Sequence, residues 1–450
     1  MARLFGTDGV RGVANDDLTA ELAMELAVAA AHVLGEAGAF DDRRPFALVG
    51  RDTRISGEFL EAAVDAGLAS AGVDVVDVGV VPTPGLAHLV NAQGADLGVM
   101  LSASHNPMPD NGIKFFQRGG VKLDDDIEDA IEQRLNEPWR HPTGAAVGRI
   151  SRDDGTLLHR YIDYLVASLE GVRLDGLKIV VDAANGAASL TAVPAFEASG
   201  ATVIGTNDTP NGLNINDNCG STHIEGLQTA VVAHGADLGI GLDGDADRCL
   251  AVDASGEIVD GDQIMAILAL YLQSQGRLHS NTLVATIMSN LGLINAMKHH
   301  GIKVDQTRVG DRYVLEAMAE NGFSLGGEQS GHVIISEYAN TGDGVLTGLH
   351  LAGCMASSGR SIADLASVMT TLPQVMINVP DVDKMRAGID PEITQAVTAA
   401  NRELGEGGRV VLRPSGTEPL VRVMVEAVTQ EKAQHVAEEL AAIVARRLAR

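Results

Sequence analysis

Positive charge is scarce in this 450-residue chain: 33 Lys and Arg stand against 60 Asp and Glu, a net charge of -27. So acidic a surface repels nucleic acid and anionic membranes, and the basic clusters of a nucleic-acid binder are missing. It also repels anionic small molecules, so any site for one must be a locally positive cleft. Cysteine is scarcer still. Cys219, Cys249 and Cys354 are odd in number, widely spaced and without a CxxC pair. That pattern argues against a disulfide framework or a zinc site and fits reduced thiols. Aromatic residues make up only 3% of the chain, so Val, Ile, Leu and Ala must do most of the packing. Long apolar runs are absent as well. The most apolar helical stretch, Leu22 to Leu34, carries Glu25 and His32 and is too short to span a bilayer. The opening MARLFGTDGVRG has no signal-peptide core. A soluble, cytoplasmic protein is expected.

What is abundant is apolar aliphatic sequence punctuated by glycine. Hydrophobic residues reach 45%, ample for several cores, and the length suggests roughly three domains. The 51 glycines recur at the ends of apolar runs, where turns form. Strand patterns at Phe46–Val49, Val73–Val78, Leu97–Leu101, Lys178–Val181, Thr202–Ile204, Leu238–Leu242 and Leu283–Ile287 alternate with helical ones. The helical patterns include Leu18–Leu34, Gly57–Ser70, Ile224–Ala233, Gln263–Gln275 and Arg312–Glu320. Such alternation predicts mainly parallel sheets covered by helices.

One local pattern occurs three times. Gly94-Ala-Asp-Leu-Gly98 leads through an apolar strand to SASHNP, Gly235-Ala-Asp-Leu-Gly239 to DGDADR, and Gly322-Phe-Ser-Leu-Gly326 directly to GEQSGH. Ser104, Asp245 and His332 each lie six residues past the second glycine. A single GxxLG is a generic helix–turn–strand connection; three that end in polar clusters predict three related α/β domains. Open α/β sheets bind ligands at the carboxyl ends of their strands, so three facing domains would surround one central cleft. The last 80 or so residues differ. Val421, Val423 and Val425 alternate with Arg422, Met424 and Glu426, and an amphipathic helix follows. This predicts a smaller C-terminal α+β domain. The expected division is 1–153, 154–254, 255–371 and 372–450.

The polar clusters suggest chemistry. Asp243, Asp245 and Asp247 crowd three like charges into one loop, an arrangement that needs a cation. Hard oxygen ligands favour Mg²⁺ over zinc, and no glutamate closes an EF-hand loop. Ser104 in SASHNP lacks a GxSxG elbow, and neighbouring residues such as His105 seldom set a base against a hydroxyl. A serine that stores a phosphoryl group beside Mg²⁺ fits better than a hydrolase nucleophile. In GEQSGH, Glu328 and Ser330 suit vicinal sugar hydroxyls, and His332 suits proton transfer or phosphate contact. RPSGTEP reads as an anion nest on a hairpin turn, with Arg413, Ser415, Gly416, Thr417 and the nearby Arg422 as its donors. Arg11 and Lys114 complete the cations expected to face the cleft.

With its four loops SASHNP, DGDADR, GEQSGH and RPSGTEP in this order, the chain resembles the α-D-phosphohexomutase family. The opening GTDGVRG and the form GEQSGH make it most similar to the members acting on glucosamine phosphates. The resemblance implies four domains in a heart-like arrangement around a central cleft. It implies phosphorylated Ser104 as phosphoryl carrier and as a further ligand to one Mg²⁺ per subunit held by Asp243, Asp245 and Asp247. Arg11, Lys114, Arg248 and His332 match positions that assist transfer. Glu328 and Ser330 match sugar-binding positions, and Arg413, Ser415, Gly416, Thr417 and Arg422 match the holders of the non-reacting phosphate. Asp311 stands where some relatives carry histidine, which weakens proton-transfer roles borrowed from them. Interconversion of glucosamine 6-phosphate and glucosamine 1-phosphate through the 1,6-bisphosphate is the activity implied, feeding UDP-N-acetylglucosamine and cell-wall precursors. A phosphosugar substrate and a homodimer are expected, and neither nucleic acid nor membrane. A kinase, autophosphorylation or a bisphosphate activator remain open as the source of the first phosphoryl group. A phosphomannomutase or phosphoglucomutase, a phosphatase using Ser104 and a catalytically silent sugar-phosphate sensor are the competing readings.

Overall fold

Each GxxLG segment does the same mechanical work. A computed structural model describes residues 3–6, 8–40, 43–415 and 420–449. In it, Gly94, Gly235 and Gly322 end the helices Thr83–Gln93, Glu225–His234 and Asp311–Asn321 in the left-handed conformation, with φ of 65°, 56° and 66°. Such a cap satisfies the last helical carbonyls and turns the chain into a strand. The third residue of each segment then ties down the chain at, or just before, the start of a neighbouring strand. Asp96 accepts the Phe46 N–H at 3.0 Å, Asp237 that of Lys178 at 2.8 Å, and Ser324 that of His279 at 2.9 Å. Leu97, Leu238 and Leu325 are fully buried. The second glycine lets helix and strand approach closely: a Cβ at Gly98, Gly239 or Gly326 would lie 2.5, 2.5 or 2.6 Å from a side chain of the preceding helix.

The strands these segments feed build three sheets of one topology. The first sheet contains β1 (Phe5–Gly6), β2 (Gly9–Val13), β3 (Phe46–Arg51), β4 (Asp74–Val80), β5 (Leu97–Leu101), β6 (Asp110–Gln117), β7 (Val121–Lys122) and β8 (Ile150–Arg152), in the order β1-β2-β6-β5-β3-β4-β8 with β7 on β6. The second runs β10 (Thr202–Thr206), β9 (Lys178–Asp182), β11 (Leu238–Leu242), β12 (Cys249–Asp253), β13 (Ile258–Val259). The third runs β15 (Lys303–Thr307), β14 (Thr282–Thr286), β16 (Leu325–Gly327), β17 (Val333–Ile335). In each, a run of parallel strands (four in the first sheet, three in the other two) is followed by an antiparallel one: β6, β12 or β17. The sheets are therefore mixed rather than purely parallel. Each polar cluster sits in the loop that reverses direction, between β5 and β6, β11 and β12, or β16 and β17. Because β13 pairs with β12, the second sheet runs on to Val259, beyond residue 254 where the sequence reading ends that domain.

The fourth sheet has the order β18 (Gln374–Pro380), β20 (Leu420–Glu426), β19 (Arg409–Pro414), all antiparallel, and it packs against the helix Gln430–Leu448. Val421, Val423 and Val425 are fully buried, as their alternation predicts. Glu426, on the alternate face, is also fully buried. It pairs with Arg409 at 2.7 Å and accepts the Leu291 N–H at 3.0 Å, joining the fourth unit to the third. One apolar core runs continuously through units two and three, from Tyr161 to Met369, while units one and four have cores of their own. No helix among the described residues is long and apolar enough to cross a membrane.

If the second GxxLG glycine serves close approach, Gly98→Ala must displace Val90 or Phe116. Urea unfolding should then show a loss of about 1–3 kcal/mol with an unchanged m-value.

Candidate active site

The serine loop is held from below. Arg54, fully buried, pairs with Asp52 at 2.9 Å and donates to the carbonyls of Ser104 (2.9 Å), Asn106 (2.8 Å) and Pro107 (2.5 Å). Asp52 accepts the Ser102 hydroxyl at 2.6 Å, and Ser102 Oγ accepts the Ser104 N–H at 3.0 Å. Ser102 is thus committed to the scaffold. Ser104 has φ +51°, a sparsely populated conformation for a non-glycine residue that these bonds enforce. It carries the hydroxyl across to the second unit, where it donates to Asp243 Oδ2 at 2.7 Å. The same twist sets His105 Nδ1 3.2 Å from Ser104 Oγ. Adjacent residues do make contact here, contrary to the expectation from sequence. Burial, and after it Arg248 and Arg11, pushes His105 down to about 4, so the ring is neutral at pH 7.

The aspartate loop meets this serine backbone to backbone. A Cβ at Gly244 would lie 2.5 Å from the Ser104 carbonyl oxygen, so the glycine is what permits the approach. Asn216 of the same unit donates to that carbonyl at 2.8 Å. Asp243, Asp245 and Asp247 are all buried, and each offers a ligand atom within 4.8 Å of the others. Burial, then the charges of Asp247 and Asp245, raises Asp243 well above the usual carboxylate range. Asp245 Oδ1 and Asp247 Oδ1 are buried without a hydrogen-bond partner. Orphaned carboxylate oxygens at 0% and 7% exposure are what a cation site needs and a self-sufficient loop avoids. The residues fit a hard divalent cation.

Cations from three sources surround the loop. Lys114, 2% exposed on β6, reaches Asp245 at 2.8 Å and Asp8 at 2.7 Å. Arg11 pairs with Asp8 at 2.5 Å and donates to Asn106 at 3.4 Å. Arg248 donates its backbone N–H to Asp243 at 3.1 Å. Burial opposes the charge of Asp8, but Lys114, Lys122 and Arg11 outweigh it and hold the carboxyl well below its ordinary range. His332 stands with Nδ1 3.5 Å from Asp247, while its Nε2 accepts the Gly342 N–H at 3.0 Å. Burial disfavours an imidazolium here and Asp247 favours it, with the net shift upward. The backbone bond to Nε2 decides otherwise, because a ring that accepts there carries its single proton on Nδ1, facing Asp247. Both ring nitrogens of His332 therefore have a partner in this structure, Asp247 at Nδ1 and the Gly342 N–H at Nε2.

A cavity of about 390 Å³ opens onto this cluster, lined by Arg11, Ser104, His105, Asp247, Arg248, Glu328 and His332 among others. Glu328 accepts the Gly310 N–H at 3.0 Å, and Ser330 is exposed on the same turn. Arg413 and Arg422 face each other across β19 and β20. Burial and then Arg422 lower the Arg413 pKa, and Glu328 is close enough to offset part of it. Two guanidiniums side by side suit an anion. Ser415 closes the hairpin, donating its N–H to Leu420 at 2.9 Å. Gly416 and Thr417 lie outside the described residues.

Four sequence profiles described as phosphoglucomutase/phosphomannomutase domains match the chain: alpha/beta/alpha domain I at residues 2–140, II at 159–256, III at 260–372 and the C-terminal domain at 376–443. The chain belongs to the phosphoglucomutase/phosphomannomutase family. Within it, the chain is 69% identical to the phosphoglucosamine mutase of Cutibacterium acnes, covering 100% of both chains. It is 63% identical to that of Streptomyces griseus subsp. griseus over 99% of each. In fold it is similar to a phosphoglucomutase/phosphomannomutase family protein from Burkholderia thailandensis, with a TM-score of 0.82, 24% identity and 100% and 98% of the two chains covered. An N-acetylphosphoglucosamine mutase from Aspergillus fumigatus, solved with GlcNAc-6P and magnesium, gives a TM-score of 0.66 at 18% identity, covering 98% and 95%.

Family motifs led to Ser104, the three aspartates, Lys114 and Arg11, and the structure gathers them. They did not lead to the supporting groups Asp8, Asp52, Arg54, Lys122 and Asn216, nor to Thr83, whose hydroxyl donates to Asp245 at 2.7 Å. Asp52-Thr53-Arg54 offers a signal in retrospect, being a charged cluster at the end of β3, level with the serine loop.

With a repelling carboxyl removed and the cation site spoiled, Asp243→Asn should melt, without added metal, at or above the wild-type temperature. Wild-type protein should gain about 2.7 kcal/mol at a Mg²⁺ concentration 100 times its dissociation constant, and the variant almost none. Calorimetric melting with and without Mg²⁺ reads both outcomes.

Proposed function

We propose that the protein is a phosphoglucosamine mutase that interconverts glucosamine 6-phosphate and glucosamine 1-phosphate through phospho-Ser104 and glucosamine 1,6-bisphosphate. The observation that carries this reading is Ser104 Oγ, 2.7 Å from Asp243 in a buried three-aspartate loop surrounded by Arg11, Lys114 and Arg248. In the forward direction the carbon-1 hydroxyl attacks the phosphorus of phospho-Ser104. The bond to Ser104 Oγ breaks as the bond to the sugar oxygen forms, and the hydroxyl proton leaves to a base. The bisphosphate turns over in the cleft, and its 6-phosphoryl group passes back to Ser104 Oγ. Transfer of this kind needs in-line positioning and charge neutralisation more than covalent assistance.

The chain's residues divide these tasks. Ser104, fixed by Arg54 and Ser102, presents one oxygen to the cleft. Asp243, Asp245 and Asp247, with a phosphoryl oxygen of phospho-Ser104, would hold Mg²⁺, which when bound neutralises the phosphoryl oxygens. Lys114, Arg11 and Arg248 supply positive charge around the transferring group. Glu328 and Ser330 grip sugar hydroxyls, while Arg413, Ser415, Gly416, Thr417 and Arg422 hold the phosphate that is not reacting. His332 keeps Asp247 aimed at the cation. The same reading includes a cytoplasmic homodimer of four-domain subunits that supplies glucosamine 1-phosphate to UDP-N-acetylglucosamine synthesis.

Purified enzyme with Mg²⁺ and a trace of glucosamine 1,6-bisphosphate should turn over glucosamine 6-phosphate faster than the mannose or glucose phosphates. Peptide mapping should find the phosphoryl group on Ser104, and Ser104→Ala should abolish turnover while melting normally. Full activity in Ser104→Ala sinks the phosphoserine mechanism, and steady release of inorganic phosphate identifies a phosphatase instead.

A further inference from the structure

One carboxylate ties three units together. Asp8, between β1 and β2, binds Lys114 at 2.7 Å and Arg11 at 2.5 Å through Oδ2, and Lys122 at 2.8 Å through Oδ1. Lys114 continues to Asp245 in the aspartate loop of the second unit at 2.8 Å. Lys122, on β7, continues to Asp311 at the start of the helix Asp311–Asn321 in the third unit, at 2.5 Å. The result is an alternating chain of five charges, Asp245–Lys114–Asp8–Lys122–Asp311, spanning the first three units. Neighbouring contacts reinforce its outer end: Arg312 pairs with Asp125, and Asn340 donates to the Gly119 carbonyl at 3.0 Å.

A lysine head on a four-carbon stem has no fixed position of its own. At Lys114 that position is set by two carboxylates from different units, and Asp8 is the one that also contacts Arg11. Moving Asp8 therefore moves both cations that the first unit brings to the serine loop. Asp8 in turn is balanced against Lys122, which the third unit holds through Asp311. Asp311 has its carboxylate engaged in this pair and serves as an anchor.

We propose that Asp8 is a positioning residue for phosphoryl transfer. It sets Lys114 and Arg11 against the Ser104 loop, and it makes that setting depend on the sugar-binding unit through the Lys122–Asp311 pair. The proposal rests on the mutase reading above for its kinetic arm only. Asp8→Asn keeps shape and removes charge, so kcat should fall roughly 10–100-fold, the scale of a small misplacement, with KM within about threefold of wild type. Lys122→Met should lower kcat in the same direction, Lys122→Arg should restore part of it, and Lys122→Met/Asp311→Asn should be no worse than Lys122→Met alone. The second arm needs no turnover. Acylation of Lys114 by an amine-reactive ester, read by peptide mass spectrometry, should quicken in both Asp8→Asn and Lys122→Met. Should Asp8→Asn not fold, the Lys122 variants carry the test in both arms. Unchanged Lys114 reactivity, or Lys122 and Asp311 effects that multiply, overturns the proposal. Inactivity of the wild type on glucosamine 6-phosphate overturns the mutase reading and leaves the acylation result to decide this one.

Discussion

Three carboxylates buried in one loop impose the constraint from which the site follows. Two unit charges 4 Å apart repel by about 4 kcal/mol even at an effective dielectric near 20, and Asp243, Asp245 and Asp247 make three such pairs. Against them the second unit sets Arg248, through its guanidinium and its backbone N–H. Lys114 and the Ser104 hydroxyl come from the first unit and His332 from the third. The loop is therefore electrostatically incomplete within its own domain. Its needs draw the three strand-reversal loops to one point, and the cleft is the space left between them.

This dependence explains why three copies of one topology perform different tasks. In each unit the same glycine-capped helix and glycine-bearing strand deliver a loop to the same place. Only the residues past the strand differ: a hydroxyl in the first, carboxylates in the second, a histidine and glutamate in the third. The scaffold fixes position and the loop fixes chemistry. A sheet that ends in an antiparallel strand suits this use, because the reversing loop is short and anchored on both sides. Asp247 and Ser104 can then meet partners from other units without a long mobile segment.

The repeat was legible because GxxLG states its mechanics locally: a left-handed cap, a buried leucine and a close approach. The strands β5, β9 and β11 and the helix Gly57–Ser70 were legible for similar reasons of period and punctuation. The reversing strands were not. β6 reads DNGIKFFQ, with Asp, Asn and Gly in its first half, and β12 reads CLAVD; neither alternates cleanly. Their strand character comes from the neighbour they pair with. The same holds for the site's supports. Nothing local distinguishes Asp8 from the other aspartates of an acidic chain, and Arg54 matters only because three carbonyls of a loop 50 residues away converge on it. The surroundings of His332 were hidden for a related reason: Gly342, whose N–H its Nε2 accepts, lies ten residues on and outside the GEQSGH motif.

The fourth unit extends the logic of incomplete domains to the substrate. Its hairpin is pinned at one end, where buried Glu426 joins Arg409 to the N-terminus of the helix Leu291–His299. Near the other end stand Arg413 and Arg422, paired in register four residues along the strands. Between them lies about 13 Å of antiparallel ribbon, at roughly 3.3 Å per residue. Two adjacent guanidiniums repel each other, and Arg413 is lowered for that reason as well as by burial. Like the aspartate loop, then, this hairpin sets like charges side by side, here with the sign reversed, and Glu328 of the third unit offsets part of the repulsion at Arg413. A phosphosugar carries dianionic charge suited to the arginines and, when transferred, to the cations around Ser104. The mutase reading needs both kinds of site: cations about Ser104 for the phosphoryl group in transfer, and the paired arginines of this hairpin for the phosphate that stays behind.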